Sequence, residues 1–415
     1  MSTVTAAPPG GGWRVLIDGD QTRHRRHTVR RSRTAVVLGT LFLALALLAG
    51  CTSESPGGGG PTADDAPPKA KLVASPAADA KDVAPTEPVT VSVTEGTIDS
   101  VEVKNDAGKA IKGETAPDKL TWKSTEVLGY AKKYTYEASA TGADGKKVEL
   151  KGAFTTLKPA KTPRATVNPG DNATVGVAMP ISIKFPEGKV TDKAAVEKAL
   201  KVETSQPVEG SWAWLHDQQV DWRPKEYWPA GTKVTVTAKL YGLAYGGGAY
   251  GKADLSSKFT IGRNQVVKIH TPDHKMNVYR DGKLFASYPA SNGKDADPNL
   301  NTPNGTMIVM QKDPIGDFSN PRYGYTNVKK KWAVRFSNHG EFIHENEENR
   351  ANIGKVNSSH GCVNLFEADA KAYFDSAIIG DPVEVTGSQA NMPTTSDVYD
   401  WLIPWSQWQK MSALE

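Results

Sequence analysis

Between Lys71 and Leu157 apolar and polar residues alternate with a period of two. Val89, Val91 and Val93 form one such run, and Tyr134, Tyr136 and Ala138 another. That period sends successive side chains to opposite faces of a strand, with one face turned to a core. Asp106-Ala107-Gly108 and Asp144-Gly145 supply turns between the runs, and helical periodicity is missing. The stretch from Pro163 to Ile261 repeats the plan. Leu120-Thr121-Trp122-Lys123 is echoed by Val220-Asp221-Trp222-Arg223, Tyr134-Thr135-Tyr136 by Val234-Thr235-Val236, and Phe154-Thr155 by Phe259-Thr260. A period of about a hundred residues predicts two tandem immunoglobulin-like β-sandwiches, over 71–160 and 161–262. Asp192 to Leu200 reads as a short helical insert in the second. Trp212, Trp214, Trp222 and Trp228 are expected in its core rather than on a binding face.

The pattern changes near Arg263, where a third domain is expected over 263–387. Val266 to Ile269 reads as a strand and Met276 to Leu284 as a hairpin turning at Asp281-Gly282. Thr302-Pro303-Asn304-Gly305 is a turn before the apolar strand Met307 to Met310. Trp332 to Phe336, Phe342 to His344 and Pro382 to Val385 are further strands. Ala368 to Ile378 is the one convincing helix, with Ala370, Tyr373, Phe374 and Ala377 on one face. The expected fold is mostly β throughout. Residues 388–415 form a C-terminal segment in which Trp401, Trp405 and Trp408 are too apolar to stay exposed. They are expected to dock on the folded domains.

The first fifty residues read as an address. Arg23, Arg25, Arg26, Arg30, Arg31 and Arg33 precede an uncharged run from Ala35 to Ala49. At 1.5 Å per residue that run spans about 22 Å, short of a membrane-crossing helix, and it reads as a secretory signal. Leu48-Ala49-Gly50-Cys51 resembles the lipobox of bacterial lipoproteins, which implies lipidation of Cys51 and a protein tethered to the outer face of the cell membrane. The residues before Arg23 make an unusually long leader. Residues 51–70, rich in Gly, Pro, Ser and Asp, cannot bury enough apolar surface to fold and are expected to be a flexible linker. The net charge of +4 is modest, and the lysines are scattered rather than interleaved with aromatics, so a nucleic-acid partner is not expected.

Only two cysteines occur, and with Cys51 accounted for, Cys362 is a solitary thiol. Such a residue in an exported protein is either a small buried hydrophobe or a nucleophile. Its setting, Ser359-His360-Gly361-Cys362-Val363-Asn364, favours the nucleophile. A free thiol is mostly protonated at neutral pH and needs a base beside it. His360 qualifies, because two residues apart on an extended strand both side chains share a face. His344, ending the apolar strand Phe342-Ile343-His344, could reach the thiol from a neighbouring strand. Residue chemistry alone does not choose between them. His339, His344 and Glu345 also resemble a metal-ligand set, although a zinc peptidase has no need of Cys362.

His344, fourteen intervening residues and then Ser359-His360-Gly361-Cys362-Val363-Asn364 resemble the signature of the L,D-transpeptidase catalytic domain, the YkuD fold. The two sandwiches, the lipobox and Asp400-Trp401-Leu402-Ile403-Pro404-Trp405-Ser406-Gln407-Trp408 resemble the wider architecture of actinobacterial members, which implies that the last segment docks between the second sandwich and the third domain. The resemblance implies that Cys362 is the nucleophile and His344 its base, with His360 in support. It implies an oxyanion hole from the Gly361 and Cys362 N–H groups, with Ser359 at the same site and Asn364 bracing the loop. Tyr325 is the better match to a tyrosine that assists the oxyanion or substrate, ahead of Tyr323. The implied reaction joins peptidoglycan stem tetrapeptides by 3→3 cross-links through a Cys362 thioester. No cofactor or metal is expected, and carbapenems are implied as covalent inhibitors. Close relatives carry a serine after the histidine where this chain has Glu345. A backbone carbonyl that orients the imidazole survives that change, while Glu345, Glu347 and Glu348 give the loop an acidic rim. An L,D-carboxypeptidase on the same scaffold and a non-catalytic wall-binding lipoprotein are the alternatives.

Overall fold

The structure, a computed structural model, describes residues 69–187, 189–320, 324–394 and 399–415. The signal read over 1–50, Cys51 with the linker up to residue 68, and Tyr323 lie outside them.

The alternating runs fold as two pairs of packed sheets, antiparallel except where Thr174–Val175 runs parallel to Leu255–Ile261. In the first pair, strands Lys71–Ser75, Thr90–Thr94, Thr121–Ser124 and Gly113–Thr115 form one sheet, and Gly96–Asn105, Lys133–Gly142 and Lys147–Thr155 the other. Between them lie Val89, Val91, Val93, Trp122, Tyr134, Tyr136 and Phe154. The second pair has its own core, which takes in Trp212, Trp214, Trp222 and Trp228 as the sequence predicts. The hundred-residue echo has a steric counterpart. Trp122 lies against Gly113 and Trp222 against Gly210, so closely that a Cβ on either glycine would overlap the indole. The helical insert is Lys193–Lys198, N-capped by the Asp192 carboxylate on the Ala195 N–H.

The third domain packs a five-stranded sheet against a four-stranded one. The first runs Lys283–Pro289, Lys275–Arg280, Gln265–His270, Pro382–Thr386 and Gly305–Ile308. Its hairpin turns at Asp281 and Gly282, both at positive φ, as the sequence predicts. The second sheet runs Gln311–Asn320, Tyr325–Arg335, Phe342–Glu345 and Val363–Leu365. Helix Glu367–Ser376 presses Ala370 and Tyr373 into the shared core.

Second sandwich and third domain are joined directly. The Gly176 and Ala178 N–H groups donate to the Ile379 and Gly380 carbonyls at 2.7 and 3.0 Å. Gly176 is required there, because a Cβ would fall 2.1 Å from the Asp381 nitrogen. The Tyr227 hydroxyl donates to Glu384 Oε1 across the joint at 2.9 Å. The C-terminal segment closes one side. Trp401 packs on the core of the sandwich while the adjacent Leu402 packs on the core of the third domain. Trp408, fully buried on helix Trp405–Gln409, donates from Nε1 to the Ser211 carbonyl at 2.9 Å. Arg223, itself buried, lies over the rings of Trp401, Trp405 and Trp408, 4.6, 5.2 and 4.8 Å from their centroids. Its guanidinium donates to the Asp400 and Ile403 carbonyls.

Candidate active site

Two short strands bring the histidine and the thiol together. Phe342–Glu345 and Val363–Leu365 pair in parallel, with Ile343 opposite Val363 and His344 opposite Asn364. Alternation sends Ile343, Val363 and Leu365 into the core, so His344 and Asn364 face the other way. On that side His344, Cys362, Asn364, Ser359, His360 and Tyr325 line one cleft of about 310 Å³. Phe318, Lys330, Asn346 and Glu348 complete much of its wall.

His344 is buried, and its Nδ1 lies 2.6 Å from the Glu345 carbonyl oxygen. A carbonyl can only accept, so Nδ1 carries the proton and Nε2 is the free base. The carbonyl thus orients the imidazole despite the glutamate side chain. That side chain points elsewhere, its carboxylate accepting from the Lys331 and Glu347 N–H groups. Burial pushes the His344 pKa down to about 4, against an upward pull from the Glu345 carbonyl, with Lys330 adding to the lowering. The Phe318 ring stands 4.9 Å from the imidazole.

Cys362 is partly buried, and its Sγ–H donates to the Gly340 carbonyl at 3.7 Å. Burial pushes the thiol up to about 12; the Phe342 N–H pulls it down, and the Glu341 charge adds to the rise. At neutral pH the pair is therefore a thiol and a neutral imidazole. Proton transfer has to accompany attack on a substrate.

The loop before the nucleophile is built by small hydrogen bonds. Ser359 Oγ donates to the Cys362 carbonyl at 2.6 Å and accepts from the Gly361 N–H at 3.2 Å. Thr302 Oγ1, in a segment read from sequence only as a turn, donates to the Gly361 carbonyl at 2.8 Å. Gly361 sits at φ +114°, a conformation that strains any residue with a Cβ. In this structure the Gly361 N–H is directed at the Ser359 hydroxyl. The Cys362 N–H has no partner among the described residues. Asn364 exchanges both backbone hydrogen bonds with Ser291, and its buried Oδ1 finds no partner among the described residues.

His360 does not share a strand face with Cys362. Gly361 breaks the extended run, the strand starts at Val363, and the exposed His360 ring lies 5.7 Å from that of Tyr325. The trio His339, His344 and Glu345 does not converge either. Among the described residues no three His, Cys, Asp or Glu side chains form a metal-binding group. Of the acidic rim, Glu347 is held by Arg350 and the Glu367 N–H, and Glu348 by Lys330.

Residues 264–385 match the model of the L,D-transpeptidase catalytic domain, YkuD, and residues 80–244 that of a bacterial Ig domain. The chain is 42% identical over 407 residues to L,D-transpeptidase 5 of Mycobacterium tuberculosis (strain ATCC 25618 / H37Rv), covering 96% of this chain and 89% of the relative. It is 36% identical over 353 residues to L,D-transpeptidase 2 of Mycobacterium tuberculosis (strain CDC 1551 / Oshkosh), covering 83% and 85%. A solved structure of an LD transpeptidase in complex with imipenem is 30% identical, with a TM-score of 0.46 over 54% of this chain and 99% of that one.

Proposed function

Since the chain belongs to the L,D-transpeptidase family, we propose that it forms 3→3 cross-links in peptidoglycan through a thioester on Cys362. The observation that carries this reading is the shared cleft, lined both by the Cys362 thiol and by a histidine whose Nδ1 is fixed on the Glu345 carbonyl. Cys362 Sγ attacks the carbonyl that joins the third residue of a donor stem to its terminal D-alanine. The thiol proton passes to His344 Nε2, and the Cys362 N–H donates to the oxyanion. As the tetrahedral intermediate collapses, the C–N bond breaks and the imidazolium returns its proton to the leaving amine. The thioester then meets the side-chain amine of a second stem. That amine gives a proton to His344, the C–S bond breaks, and the imidazolium reprotonates the thiolate. A covalent carrier keeps the energy of the broken peptide bond, so no nucleotide is consumed. Each oxyanion donor is typically worth about 10²–10³ in rate.

Tyr325 and His360, paired at the mouth of the cleft, position substrate, while Ser359 and Asn364 hold the loop. Carbapenems acylate the same thiol. Cys51 in its lipobox-like run anchors the protein on the outer face of the membrane, toward the wall. Incubation with a disaccharide-tetrapeptide and mass spectrometry tests the reading. Cross-linked dimer from wild type and none from Cys362→Ala is expected. Release of tripeptide without dimer would make the enzyme a carboxypeptidase.

A further inference from the structure

Thr302 is only 1% exposed and does not line the cleft, yet its hydroxyl holds the loop that carries the nucleophile. The Gly293 N–H donates to Thr302 Oγ1 at 2.9 Å. A hydroxyl has one hydrogen, and Oγ1 directs it to the Gly361 carbonyl at 2.8 Å. The segment around Thr302 is itself braced. Asn301 Nδ2 donates to the Lys294 and Asp297 carbonyls, and Asn301 Oδ1 accepts from Ser388 Oγ and the Gln389 N–H.

The Gly361 carbonyl and the Cys362 N–H belong to one planar trans peptide unit, so they point in opposite directions. With the carbonyl turned inward to a buried hydroxyl, the N–H is turned the other way. No strand pairing fixes that plane, because the paired strand begins at Val363. Gly361, at φ +114°, also turns more freely than any residue with a Cβ. The next unit is held separately, its Cys362 carbonyl accepting from Ser359 Oγ.

We propose that Thr302 is a positioning residue for the acylation step, its grip on the Gly361 carbonyl aiming the Cys362 N–H at the oxyanion. The inference rests on the acyl-enzyme reading of Cys362 and adds to it a residue outside the cleft. Without the hydroxyl, the Gly361 carbonyl is unpaired in the interior, and the peptide unit rotates toward another polar partner. A rotating unit swings its C=O and N–H while the Cα atoms at its ends stay in place, so the thiol keeps its position. Reactions that build an oxyanion on the thiol's target should suffer, and reactions that build none should not.

The test compares two reactions of the same thiol in the full-length protein. Opening of meropenem builds an oxyanion, whereas iodoacetamide alkylation displaces iodide at a saturated carbon and builds none. Thr302→Val keeps the side-chain shape and loses the hydroxyl. It is expected to lower the saturating rate of meropenem acylation about a hundredfold, the scale of one misplaced donor, with the half-saturating concentration and the alkylation rate unchanged. Thr302→Ser restores the hydroxyl and should acylate within about threefold of wild type. If Thr302→Val does not fold, Thr302→Ala takes its place with the same split expected, since a water admitted to the freed groups has no fixed position. Equal losses in both reactions, or a loss in Thr302→Ser as large as in Thr302→Val, would overturn the assignment. A wild type that meropenem does not acylate would overturn the acyl-enzyme and this role with it. The selective loss, beside a wild type that makes no cross-linked dimer, would overturn the cross-linking reading alone and leave the role of Thr302 standing.

Discussion

Trp408→Ala perturbs the C-terminal segment at its most buried point, far along the chain from the cleft residues. The side chain is fully buried, donates to the Ser211 carbonyl and supports the Arg223 guanidinium from 4.8 Å. Removing a buried tryptophan costs about 3–5 kcal/mol in lost transfer energy and cavity. The Ser211 carbonyl is left without its donor, and a cation–π contact of about 1 kcal/mol is lost. Water entering the vacated space rehydrates Arg223, whose pKa burial holds down at about 10. That rehydration offsets part of the loss and places the net cost at about 3 kcal/mol. For a folding unit of this size, about 2–4 °C per kcal/mol implies a fall in Tm of about 9 °C. Trp405→Ala, at a half-buried ring 5.2 Å from Arg223, should cost about a third as much. Differential scanning calorimetry measures both, and intact-mass labelling by meropenem checks that Cys362 still reacts at the wild-type rate. Equal melting temperatures for wild type and Trp408→Ala, or for the two variants, would refute this account of the docking.

Three further outcomes follow from the site. His344→Ala should lose carbapenem acylation almost completely, whereas His360→Ala, at an exposed ring tilted against Tyr325, should slow it by about tenfold or less; stopped-flow acylation would expose a reversed ranking. Alkylation of Cys362 by iodoacetamide should keep accelerating with pH above neutrality, since the thiol is pushed up to about 12 and His344 down to about 4. A rate that levels off between pH 5 and 8 would mean a preformed thiolate–imidazolium pair. The His344 pKa in the folded state lies below the unfolded value of about 6.5, so the stability it contributes is complete above that pH and drains away as pH falls toward 4. The loss is about 3 kcal/mol, and denaturant titrations should show it flattened in His344→Gln.

What the sequence disclosed depended on which residues carry a burial pattern. The sandwich strands alternate because one face of each is buried, and the spacing from His344 to Ser359 survives as the spacing between two paired strands. The hairpin Gln311–Asn320 with Tyr325–Arg335 was legible only from Trp332 onward. It stands partly in solvent, with Ile315 64% exposed, so no alternation marks it, and Pro314 and Gly316 read as breakers. Lys330 was hidden for the related reason that three consecutive lysines look like a solvated face. The helix over Ala368 to Ile378 was found one to two residues late, its true start at Glu367 lacking a side-chain N-cap. The hydrogen bond from the Gly361 N–H to the Ser359 hydroxyl was not legible, because nothing in composition marks such local competition.

The split between Trp401 and Leu402 bears on the order in which the molecule can be finished. The residues of both cores, and Arg223 with them, precede these two in the chain. Until Trp401 and Leu402 are in place the guanidinium lacks the carbonyls of Asp400 and Ile403, and a groove between sandwich and third domain stands open. Insertion of the last stretch closes both at once, in the manner of a keystone. A chain cut short by a nonsense mutation would keep its nucleophile and its histidine, yet present an unquenched charge and an apolar seam to any protease that patrols for unfinished proteins.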